Sequence, residues 1–167
     1  MPDVPRLRPA SPGDLAAIAA IYELEVRHGT ATFELEPPDA AELGRRLAKV
    51  RAAGLPWLVA ELDGQVGGYA YAAPYRDRSA YRFTVEDSVY LAAWARGRGI
   101  GRRLLDAVIE AARVAGMRQM VAVIGDSANL ASVRLHRSCG FADVGMLRDV
   151  GFKFGRWLDT VLMQRSL

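Results

Sequence analysis

Cysteine occurs once in the 167 residues, at Cys139, so the chain cannot close a disulfide on itself. Histidine occurs twice, at His28 and His136, too few for a His/Cys zinc cluster, and no metal is expected. No apolar run approaches the ~18 residues of a membrane span, and Met1–Arg6 contains no apolar run. An excess of one charge is also missing. The net charge is +3, and no long basic stripe is interleaved with aromatics. These absences argue against a disulfide scaffold, a zinc module, a membrane partner and a nucleic-acid partner. A soluble cytoplasmic protein is the expectation.

What is present is ordinary for a globular chain: 51% hydrophobic and 25% charged residues. One domain over residues 1–167 is expected, large enough to bury ~70% of its unfolded surface. Val4–Arg8 reads as a short strand. Ser11-Pro12-Gly13-Asp14 opens a helix, with Ser11 as N-cap, Pro12 at the first position and Asp14 as acidic partner, closing at His28-Gly29. His28 there reads as a surface residue at a helix C-terminus. A loop over residues 29–36 precedes a second helix, from Pro37-Pro38-Asp39 to Gly54. Trp57–Leu62 and Gln65–Ala73 flank Asp63-Gly64, a clear hairpin.

A polar, aromatic loop, Pro74–Tyr81, leads into a strand from Arg82 to Leu91. Alternation puts Thr84, Glu86, Ser88 and Tyr90 on one face of that strand. The next helix carries an apolar stripe (Ile100, Leu104, Leu105, Val108, Ile109 and Ala112) and stops at Gly116. A strand (Gln119–Ile124), a helix (Asn129–Ser138) and strands near Ala142–Arg148 and Leu158–Gln164 complete the chain. The order β-α-α-β-β-β-α-β-α-β-β predicts an α+β fold with a mixed, largely antiparallel sheet.

The chemistry concentrates in Glu86–Leu105, where a strand meets a turn rich in glycine and arginine that opens a helix. Such a turn presents backbone N–H groups and the positive end of the helix to an anion. Arg102-Arg103 after Gly101 rules out the Gly-Lys-Ser/Thr ending of a Walker A loop, and Gly97-x-Gly99-x-Gly101 is not the dinucleotide G-x-G-x-x-G. What remains is Arg96-x-x-Gly99-x-Gly101.

That loop, in that context, resembles the pyrophosphate loop of the GNAT superfamily of N-acetyltransferases. Thr84–Tyr90, Ile124-Gly125-Asp126, Ser132–His136, Gly140-Phe141 and Val150–Asp159 are similar to its phosphinothricin acetyltransferase branch, over nearly the whole chain. The resemblance implies six to seven strands flanked by about four helices, and acetyl-CoA as cosubstrate. Its pyrophosphate is expected on the backbone of Arg96, Gly97, Arg98, Gly99, Ile100 and Gly101. Its pantetheine arm is expected along Ser88, Val89 and Tyr90, whose N–H groups also face the developing oxyanion. Asn129 and Ser132 are further cofactor candidates.

Amine attack on a thioester requires a base, because an ammonium has no lone pair. Glu86 is the candidate; an exposed Glu titrates near ~4.3, so burial must raise it. His136 stands where many superfamily members carry a thiolate-protonating tyrosine; acid, base, cofactor positioning and plain helix surface remain open for it. Cys139 reads as core. The branch acetylates small amino acids bearing a second anionic or tetrahedral group, of the phosphinothricin, methionine sulfoximine or methionine sulfone type. Phe33, Tyr75, Arg76, Asp77, Arg78, Tyr81, Val85 and Asp87 stand at the matching acceptor positions. Lys153 and Trp157 complete the pocket, from the same chain or a partner, or only pack. A homodimer and direct transfer in a ternary complex are implied. The rivals are an acetyltransferase for another amine (a different amino acid, a polyamine or a protein N-terminus) and a non-catalytic CoA-binding module.

Overall fold

The computed structural model describes residues 4–167. Seven strands form one sheet: β1 (Arg6–Pro9), β2 (Trp57–Leu62), β3 (Gln65–Pro74), β4 (Thr84–Leu91), β5 (Gln119–Gly125), β6 (Ala142–Lys153) and β7 (Arg156–Ser166). Four helices accompany them: α1 (Leu15–His28), α2 (Ala40–Ala52), α3 (Ile100–Val114) and α4 (Leu130–Ser138). The strand order is β1-β2-β3-β4-β5-β7-β6. Only β4 and β5 run parallel, because α3 lies between them in sequence and carries the chain back across the sheet.

Local chemistry accounts for most boundaries. The Ser11 N–H donates to Asp14 Oδ2 at 2.7 Å, and a short 3-10 turn over Pro12–Asp14 feeds α1. Asp39 accepts from the Glu42 N–H at 2.7 Å and caps α2. Asp63 and Gly64 both take positive φ (48° and 77°), the geometry of a tight hairpin turn between β2 and β3. The whole predicted stripe of α3 is buried on the sheet, each large side chain stabilising by roughly 1.5–3 kcal/mol.

The last hairpin is longer than its residues suggested. β6 and β7 reach Lys153 and Arg156, well past the expected ends at Arg148 and Leu158. Phe154 and Gly155 close the turn with positive φ, and a bulge between Leu147 and Gly151 breaks the alternation that would have marked the strand. β1 is also shifted, from Val4–Arg8 to Arg6–Pro9. No helix among the described residues is long and apolar enough to cross a membrane.

Candidate active site

The β4–β5 ladder pairs only Thr84, Val85 and Glu86 with Gln119, Met120 and Val121. Beyond Glu86 the two strands separate, and a cleft of about 840 Å³ opens between them. Which backbone groups face that gap follows from alternation. The Tyr75 N–H bonds the Thr84 carbonyl and the Ala92 N–H bonds the Gly67 carbonyl, so the even-numbered residues of β4 exchange hydrogen bonds with β3. Asp87, Val89 and Leu91 therefore direct their main-chain groups at β5. The open gap bares the polar backbone of Val89, while the side chains of Ser88 and Tyr90 contribute to the wall.

At the wide end of the gap, Ala93–Ala95 make one 3-10 turn and the chain then enters α3. Gly99, the N-cap, has φ +73°, the left-handed region that a β-branched residue resists. Apart from the glycine and its chain neighbours, no atom of the described residues lies within 4 Å of where a Cβ would stand on Gly97 or Gly99. The turn thus presents bare backbone N–H groups and the α3 N-terminus to open space, a cradle that fits a pyrophosphate. Arg96, Gly97, Gly99, Ile100 and Gly101 line the cleft, whereas Arg98 does not. The Arg96 guanidinium donates to Glu25 Oε1 at 2.7 Å and ties the cradle to α1.

Asn129 caps α4, its side chain accepting from the Ser132 N–H at 3.3 Å, and both residues line the cleft. One turn on, His136 is buried rather than on the helix surface. Its Nδ1 lies 2.8 Å from the Ser132 carbonyl and its Nε2 lies 2.8 Å from Asp87 Oδ2. A carbonyl and a carboxylate are acceptors, so this geometry suits a ring that donates from both nitrogens, the imidazolium form. Burial pulls its pKa down, but the hydrogen bond and charge of Asp87 and the Ser132 carbonyl outweigh burial and leave it raised.

Glu86, next in the chain to Asp87, points to the other face of the sheet, with Ser88 and Tyr90. It is half-buried and its pKa is raised, first by burial and then by the Asp87 charge, with the Arg76 guanidinium partly opposing. That is the direction a general base at neutral pH requires. Tyr90 on the same face packs edge-on against Tyr22 of α1, with ring centroids 5.0 Å apart, so this face is the α1 side of the cleft.

The acceptor candidates are scattered. Tyr75 and Tyr81 meet edge-on at 5.7 Å, with the Arg76 guanidinium 5.0 Å from the centre of the Tyr75 ring. This cluster, with the exposed Asp77 and Arg78, stands at the Glu86 end of β4, outside the cleft wall. One candidate needs correction as an acceptor contact: the Val85 side chain is buried in the core. Asp87 lines the cleft, its Oδ2 held by His136 and its Oδ1 without a partner among the described residues. Phe33 is half-buried against the sheet, and Lys153 is buried within its own chain, while Trp157 is exposed.

One cleft wall was not anticipated. Ile21, Glu25 and His28 of α1, with Gly29–Ala31 after it, line the cleft together with Val123–Gly125 of β5. Helical spacing marks those α1 residues only as core or surface, and nothing local announces a second role.

Known proteins with these features converge. The model of the acetyltransferase (GNAT) family matches residues 18–141, and the chain belongs to that family. It is 60% identical over 154 residues to phosphinothricin N-acetyltransferase of Alcaligenes faecalis, covering 92% of this chain and 78% of that protein. It is 43% identical over 164 residues to L-methionine sulfoximine/L-methionine sulfone acetyltransferase of Salmonella typhimurium, covering 96% and 94%. A GNAT phosphinothricin acetyltransferase from Sinorhizobium meliloti, solved in complex with AcCoA, superposes with a TM-score of 0.95 at 47% identity, covering 99% of this chain and 89% of that one.

Proposed function

We propose that this single-domain chain acetylates the amino group of a small amino acid of the phosphinothricin, methionine sulfoximine or methionine sulfone type, in the cytoplasm, by direct transfer in a ternary complex. The observation that carries this reading is the parting of β4 from β5 beyond Glu86, with the positive-φ glycines Gly97 and Gly99 following the far end of β4. One segment thereby supplies a backbone cradle for phosphates, an unpaired strand edge and a carboxylate of raised pKa. The names of the similar proteins support the acceptor class.

Acetyl-CoA brings an activated acetyl thioester. The N–H groups at the start of α3 hold its pyrophosphate, with Arg96 adding charge from the rim. The main-chain edge at Val89 aligns the pantetheine arm, and its N–H faces the oxygen on which charge develops. Glu86 takes the proton from the acceptor ammonium, directly or through one water. His136, with both nitrogens engaged, holds Asp87 and so fixes β4 against α4. Arg76 and Arg78, beside the Glu86 end of β4, offer guanidinium forks to the acceptor's anionic group.

A homodimer is part of the reading. β6 is an edge strand paired only with β7, and Val144, Met146, Val150, Phe152, Phe154 and Trp157 expose an apolar face on that hairpin. A second copy of the chain is its occupant.

Initial rates with both substrates varied test the proposal. Intersecting double-reciprocal lines, and a higher kcat/KM for methionine sulfoximine than for a polyamine or a peptide N-terminus, are expected. Parallel lines would overturn direct transfer, and a preference for peptides would overturn the acceptor class.

A further inference from the structure

Nine of the first ten residues of β6 are exposed beyond any neighbour's cover, and only Gly151 and Lys153, near its end, are buried. Both touch the segment that follows α1. The Lys153 ammonium donates to the Thr32 carbonyl at 2.8 Å and to the Glu25 carbonyl, in the last turn of α1, at 3.4 Å. A Cβ on Gly151 would stand 2.3 Å from Phe33 Cε2, so the Phe33 ring lies flat on that glycine. The ring also abuts Gly125, where a Cβ would stand 3.0 Å from Phe33 Cε1 and 2.6 Å from the Thr30 carbonyl.

The same short segment is strapped from its other sides. Tyr22 Oη and Thr32 Oγ1 share a hydrogen bond at 2.8 Å, and Thr30 Oγ1 donates to Asp126 Oδ2 at 2.7 Å. The carbonyls at the end of a helix carry partial negative charge, and an ammonium is the group that satisfies them best. Lys153 spends its hydrogen bonds on main-chain oxygens, although burial pulls its pKa down. A buried lysine is costly unless its donors are used, and here they hold a loop. The segment between those anchors, His28–Ala31, lines the cleft.

We propose that Lys153, with Gly151, is a positioning residue for the acceptor side of the cleft: the end of β6 grips the α1–α2 loop from behind through Thr32, Glu25 and Phe33. The inference rests on the reading that the acceptor amine enters on the α1 side. Phe33 on this account acts by seating the loop rather than by touching substrate.

Lys153→Met removes the donors and keeps much of the stem. It should raise the acceptor KM by about tenfold or more and the acetyl-CoA KM by no more than about threefold, because its shorter bond is to the Thr32 carbonyl and only its longer one is to Glu25, whose side chain anchors Arg96. A purely structural loss would shrink the active fraction, lowering kcat and leaving both KM values alone. Gly151→Ala, which pushes a methyl group into the Phe33 ring on an otherwise exposed strand, should give the same split. If both variants leave the acceptor KM within about twofold, or raise both KM values alike, the inference fails. Amide hydrogen exchange over residues 29–34 reads the grip without catalysis: about tenfold faster exchange in Lys153→Met supports it, and unchanged exchange overturns it. A wild-type chain that acetylates no amino acid would overturn the reading of the cleft, with the exchange measurement still deciding the grip.

Discussion

His136 Nε2 and Asp87 Oδ2 lie 2.8 Å apart, joining α4 to β4 just beyond the point where β4 leaves β5. Because the Ser132 carbonyl faces the other ring nitrogen, the geometry suits an imidazolium on a carboxylate. The folded pKa of His136 is raised, so the stability it contributes is complete below the unfolded value of ~6.5 and is lost as pH rises through the folded value. Melting temperature against pH should therefore fall more steeply above ~6.5 for the wild type than for His136→Gln. Parallel curves through that window would show that the ring is neutral in the fold.

Glu86 carries two opposite expectations. As the base, its replacement by Gln should lower turnover by ~10²-fold or more at neutral pH, and the acid limb of the wild-type profile should lie above the ordinary ~4.3 of Glu. As a half-buried carboxyl whose pKa is raised by burial, it binds its proton more tightly folded than unfolded. Its ionisation at neutral pH then costs stability. Glu86→Gln should be slower and slightly more heat-stable. Unchanged turnover would remove Glu86 from the mechanism.

Gly99→Val should raise the KM for acetyl-CoA roughly tenfold, equivalent to about 1.4 kcal/mol. The cause is twofold: a φ of +73° that a β-branched residue resists, and a Cβ standing where the chain leaves open space for the ligand. An unaltered KM would place the phosphates elsewhere.

Phe152→Glu puts a charge on the exposed apolar end of β6. Like charges meeting across a two-fold interface repel, so the proposed dimer should sediment as a monomer in this variant. A variant that sediments as the wild type does would move the interface to another surface.

Much of the fold was legible because it rests on short-range rules. Asp63-Gly64 announces a turn, Ser11-Pro12 a helix start, and the α3 stripe a buried face. The glycine turn before α3 was legible for the same reason: glycine spacing at a strand–helix junction is local. What was not legible depends on distant partners. Asp87 reads as a strand residue with a carboxylate free for substrate until α4, 49 positions later, brings His136 to it. Phe33 reads as a loop aromatic until Gly151 offers it a flat surface. The turn end of the last hairpin, Asp149–Trp157, escaped notice because its bulge hides the period-two pattern.

The most direct measurement is release of CoA thiol from acetyl-CoA in the presence of phosphinothricin, methionine sulfoximine or methionine sulfone, with the product followed by mass. The account predicts thiol release matched mole for mole by the N-acetylated amino acid, and its loss in Glu86→Gln. Tight binding of acetyl-CoA with no release for any amino acid would contradict it.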